Sequence, residues 1–75
     1  GTKYRIKDTL RELKRALEEL KKILEELQRS LEELRRNPSE DALVNNNEVI
    51  VKAIEAAVRA IEISAENQRM LAESD

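Results

Sequence analysis

The chain reads as all-α: an antiparallel helical hairpin that assembles into a six-helix, two-ring coiled-coil-like bundle. Three observations carry that expectation. Apolar residues recur at steps of three and four. The composition is that of long helices, with 40% charged residues, 1% aromatics, one Gly and one Pro in 75 residues. The single proline divides two patterned halves, giving helix 1 at about 3–36, a connection at about 37–39 and helix 2 at about 40–73.

A domain this small commonly needs a disulfide, a metal or oligomerisation to support its core. The absence of Cys and His removes disulfides and thiolate or imidazole zinc sites, so oligomerisation is the expected support. With 14 basic and 16 acidic residues interspersed in sign, there is no basic face to track a phosphate backbone. Nucleic acid is not an expected partner. The N-terminal Gly1-Thr2-Lys3-Tyr4 lacks an apolar run, so no signal peptide is expected, and Gly1 in place of Met looks like the scar of a removed tag. The most apolar stretch, Val49 to Ala65, is interrupted on one side by Lys52, Glu55, Arg59 and Glu62, which does not suit a membrane span.

In helix 1 the apolar residues are Ile6, Leu10, Leu13, Leu17, Leu20, Leu24, Leu27, Leu31 and Leu34, a strict heptad seam. With Leu10 at position a, the g column reads Thr9, Ala16, Ile23, Ser30 and widens the stripe on one flank only. The segment Leu13 to Glu33 nearly repeats every seven residues, and Glu18–Lys22, Glu25–Arg29 and Glu32–Arg36 are expected as i,i+4 pairs on the outside, each worth a few tenths of a kcal/mol.

The connection follows from Pro38, which disfavours the helical region at Asn37 and can itself occupy the first turn of helix 2. Asn37 or Ser39 can serve as the N-cap, with Glu40 and Asp41 at the positive end of the helix dipole. So short a connection makes the helices antiparallel neighbours, a rod about 50 Å long.

Helix 2 differs in kind. Taking Ile54 as a, the a/d columns read Leu43, Asn47, Ile50, Ile54, Ala57, Ile61, Ser64, Gln68 and Leu71, and the c, e and g columns are also apolar or small. Charge dominates only b and f. That stripe is far wider than one partner helix covers, so a lone hairpin would leave a long apolar patch in water. Helix 2 is therefore expected inside, surrounded by copies of itself and by outer helices, with Leu43, Ile50, Ile54, Ala57, Ile61 and Leu71 as its packing residues.

Two polar layers interrupt this pattern. In a hairpin turning near residues 37–39, positions whose numbers sum to about 76 lie level, so Ser30 faces Asn46 and Thr9 faces Asn67. One expected layer is Asn46, Asn47 and Ser30 near the connection; the other is Ser64, Asn67, Gln68 and Thr9 near the termini. Asn45, at f, is expected on the surface. A buried amide left unpaired costs about 1 to 3 kcal/mol, so a wrong register or a wrong number of chains is penalised at each such group. Buried Asn at an a position is the best-attested device of this kind.

Ile at both a and d (Ile54, Ile61 and Ile50) favours three or four strands over two. A C3 homotrimer gives six helices in two concentric rings, with a homotetramer or homodimer as alternatives.

With these residues in view, the chain resembles the computationally designed two-ring helical bundles whose oligomeric state is specified by buried hydrogen-bond networks. The match rests on Gly1-Thr2-Lys3-Tyr4, on Asn37-Pro38-Ser39-Glu40-Asp41-Ala42-Leu43-Val44, and on the segments Val49 to Ala56 and Ile63 to Gln68. It is closest to the trimeric members. The resemblance implies a synthetic chain, soluble on recombinant expression, with no natural substrate or host. It also implies that Asn47, Ser64 and Gln68 are network residues at or beside the axis, whereas either Asn46 or Asn47 could instead face a groove between the rings.

Catalysis is not expected. A single Gly allows no Gly-rich phosphate loop, no Cys or His is present as nucleophile or base, and Ser64 has no activating partner. The acidic residues lie on outer columns, so no cofactor or metal is expected either. The competing reading is a binding module, in which Ala57 between Ile54 and Ile61 leaves a small apolar void on the axis. A third, a natural helical-hairpin adaptor with hetero-partners, sits poorly with the repeat regularity.

Overall fold

The computed structural model describes the backbone of residues 2–73 and the side chains of residues 5–73. Gly1, read above as a tag scar, lies outside the described residues. Two helices, α1 (Thr2–Arg36) and α2 (Glu40–Glu73), pack antiparallel as an all-α hairpin whose Cα trace measures 56 × 14 × 12 Å.

The turn is built by caps. The Asn37 N–H donates to the Glu33 carbonyl at 2.9 Å and closes α1, whose last turn carries Arg35 and Arg36 against the negative end of the dipole. Of the two candidate caps it is Ser39 that acts: its Oγ accepts from the Ala42 N–H at 3.1 Å, and its carbonyl accepts from the Leu43 N–H at 3.0 Å. Pro38 therefore precedes the cap and is not in the first turn of α2, a correction to the expectation above. Glu40 and Asp41 fill that turn instead.

The seam between the helices uses the d and g columns of α1 against the c and g columns of α2. Ala16, Ser30, Asn46, Val49, Ala56 and Met70 are buried there. Leu13, Leu20, Ile23, Leu27 and Leu34 flank them half-buried on α1, as do Ala53, Ala60 and Ile63 on α2. Alanine at so many seam positions lets the two backbones approach closely.

Ion pairs on the outside differ from the expected set. Those that form within a helix are Asp8–Arg11 at 3.7 Å, Glu33–Arg36 at 3.9 Å and Glu66–Arg69, all spaced i,i+3. Among the described residues Glu18–Lys22, Glu25–Arg29 and Glu32–Arg36 are not formed. On an exposed helix a pair at either spacing is worth only a few tenths of a kcal/mol, so little energy separates the two sets. Two further pairs cross the hairpin, Glu26–Lys52 at 3.8 Å and Arg5–Glu66 at 4.0 Å.

Candidate assembly interface

The two sides of the seam are unlike. On one side the c column of α1 and the b and f columns of α2 bound an open groove with charged walls, including Glu19, Glu26, Glu55, Arg59 and the Lys52 that bridges to Glu26. On the other side both helices present apolar columns. The a-position leucines of α1 (Leu10, Leu17, Leu24, Leu31) are 45–53% exposed, and on α2 Ile54 is 58% and Ile61 66% exposed. Leu43, Val44, Val51, Val58 and Leu71 continue this face along α2, with Ile50 and Ala57 half-buried at its edge.

Magnitudes separate this face from ordinary surface. Covering a half-exposed Leu or Ile would contribute roughly 1 kcal/mol, half the value for full burial. Among the described residues eleven large apolar side chains stay exposed, whereas the buried hydrophobic ones are Ala16, Val49, Ala56 and Met70. Large apolar side chains are thus more often exposed than buried along this hairpin, and on one side of the seam they form a continuous face.

The polar residues divide between seam and face. Near the connection, Asn46 Nδ2 donates to Ser30 Oγ at 3.0 Å in a buried side-chain bond across the hairpin. Asn47 is exposed on the apolar side beside Val44 and Val51, and Asn45 is exposed outside. The adjacent amides thus have different addresses: Asn46 belongs to the seam and Asn47 to the open face.

Near the termini the arrangement is not repeated. The Thr9 hydroxyl lies 3.0 Å from both the Arg5 and the Ile6 carbonyls and donates back to its own helix. Asn67 is half-buried, and its Oδ1 is enclosed with no hydrogen-bond donor. Ser64 and Gln68 are exposed on the open face. Beside them, the bond from Arg69 holds the Glu66 carboxyl below the usual carboxylate range and Arg69 correspondingly above its own.

The sequence reading did not single out Val49 and Met70, the most enclosed large side chains of the seam. Their signal was present: Ala42, Asn46, Val49, Ala53, Ala56, Ala60, Ile63, Asn67 and Met70 repeat the three-four spacing one residue out of step with the a/d column. Helix α2 carries two interleaved seams, one spent on α1 and one left open.

Among the described residues, no helix is long and apolar enough to cross a membrane, and no cluster of acidic, His or Cys side chains is arranged to hold a metal ion. No protein-family model matches the chain, and no curated protein shows significant similarity to it.

Proposed function

We propose that the chain is a self-assembly module: three hairpins associate about a threefold axis, with α2 in an inner ring and α1 in an outer one. The observation that carries this is the open apolar face of α2, centred on Ile54 and Ile61, which α1 leaves exposed. Ile at a and d suits three strands. The leucine column of α1 on the same side supplies the surface with which each outer helix covers a neighbour's inner helix. Asn47, Ser64 and Gln68 then lie toward the shared axis, where unpaired amides penalise other chain numbers. In this reading the protein is of designed origin, its partner is itself, and no catalytic step is assigned to it.

Small-angle scattering tests the arrangement. Side-by-side association keeps the long dimension near the 56 Å of one hairpin while the cross-section thickens. A longest dimension near twice that of one hairpin would mean end-to-end contact and would overturn the ring arrangement.

A further inference from the structure

The open apolar face has two unlike borders. On α1 the column just beyond the exposed leucines, on the side away from α2, is Lys7, Lys14, Lys21, Gln28 and Arg35, all exposed. On α2 the column beyond Val51 and Val58 is Asp41, Glu48, Glu55, Glu62 and Arg69, exposed likewise. One border is therefore basic, and the other is acidic except at Arg69, which pairs with Glu66 beside it. Among the described residues, the ion pairs of the hairpin use none of the other charges in these two columns. The pairs that cross the hairpin, Glu26–Lys52 and Arg5–Glu66, lie on the opposite side of the seam.

Height matches as well as sign. By the antiparallel counting that sets Ser30 level with Asn46, Lys14 stands level with Glu62, Lys21 with Glu55 and Arg35 with Asp41. Within one hairpin the two columns occupy opposite outer flanks of the face, so these charges cannot meet there. They meet when α1 of one copy lies along α2 of the next at the same height, with both copies pointing the same way. Copies pointing opposite ways about a twofold across the rod bring α1 onto α1 and α2 onto α2, and like charges then face each other.

We propose that the basic border of α1 docks on the acidic border of α2 in a second copy of this chain, so that the contact is heterologous and all copies run parallel. This deepens the self-assembly reading and rests on it. The leucine and valine columns supply the adhesion, while the charges outside them set the direction of approach and oppose the antiparallel pairing. Each exposed pair is weak, but a wrong neighbour turns attraction into repulsion at every level of the contact.

A charge-swapped chain, Lys14→Glu/Lys21→Glu/Glu55→Lys/Glu62→Lys, tests the docking, because it keeps the composition and the apolar face while exchanging the signs of the two borders. It is co-refolded with isotopically labelled parent, and the assemblies are weighed by native mass spectrometry at about 0.01 M and about 1 M ammonium acetate, where the screening length falls from about 30 Å to about 3 Å. Each chain should assemble with itself. Mixed species should fall about tenfold or more below the binomial value at low salt and approach it at high salt. Binomial mixing at low salt, or sorting that high salt leaves unchanged, overturns the proposal. Mixed species above the binomial value overturn it too and mean that α1 lies on α1. Should the swapped chain lose helix content by circular dichroism, the parent decides: carbodiimide coupling of a mixed-label assembly should join Lys21 to Glu55 between chains, and absence of that link overturns the docking. Assemblies of two or four chains that sort as described would remove the threefold arrangement alone. A parent of one chain mass in the same spectra would remove the self-assembly reading and the docking with it.

Discussion

Asn46 and Ser30, sixteen residues apart in sequence, meet through a 3.0 Å side-chain hydrogen bond in the buried seam of the hairpin. The bond satisfies the Asn46 amide nitrogen where water cannot reach it and fixes the register of α2 on α1. Removing one partner alone strands the other. Ser30→Ala or Asn46→Leu alone should each cost about 1 to 3 kcal/mol in denaturant unfolding, whereas the two together should be close to neutral. Additive losses in that double-mutant cycle would show that the bond carries no coupling.

The cap at Ser39 is separable from assembly. Its Oγ accepts from the Ala42 N–H at 3.1 Å, so Ser39→Ala should lower stability by about 1 kcal/mol while Ser39→Asp is tolerated. The solution mass should be unchanged in both, since the residue is exposed at the turn.

Ile61 gives a sharper contrast. At 66% exposure it contributes little to the hairpin, and a protein that lived as a single hairpin would accept Ile61→Glu with almost no change. In the proposed assembly that position would be enclosed by other copies, where a buried carboxylate without a partner is not tolerated. Sedimentation of Ile61→Glu should therefore show smaller species than the parent. Unchanged mass would place Ile61 outside the interface.

The amides on the open face should act on specificity more than on stability. Asn47→Leu or Gln68→Leu should keep helix content by circular dichroism, raise the melting temperature, and broaden the distribution of assembly states. Monodisperse light scattering from the double variant would mean that these amides do not count chains.

How much of this was legible in the sequence depended on periodicity. The helices followed from heptads, and the turn from Pro38 and its flanking caps, because these are local effects. The pairing of Ser30 with Asn46 followed from antiparallel counting alone. The columns that meet in the seam were less accessible: α2 is apolar on so many columns that spacing could not say which stripe Leu13 and Leu20 would cover. Only packing showed that Val49 and Met70 turn inward while Ile54 and Ile61 do not. Choosing between Asn46 and Asn47 had the same obstacle, since neighbours on a helix point about 100° apart and both directions were apolar. Neither the donorless Asn67 oxygen nor the bond from Thr9 back to its own helix is revealed by spacing.

Acid should expose the Glu66–Arg69 contact. The Glu66 carboxyl is held below its ordinary value, so its contribution is present above the unfolded-state value and is lost as pH falls through the lower folded-state value. The parent should melt slightly above Glu66→Gln at neutral pH, with the difference disappearing in acid. The effect is small because both side chains are solvated.

The solution mass of the unmodified protein, by sedimentation equilibrium across a wide concentration range, tests self-assembly most directly. A single species at three times the 8.7 kDa chain mass is the expected result. A mass of one chain would contradict assembly itself, and a mass of two or four would contradict the threefold arrangement of Ile54, Ile61 and Gln68.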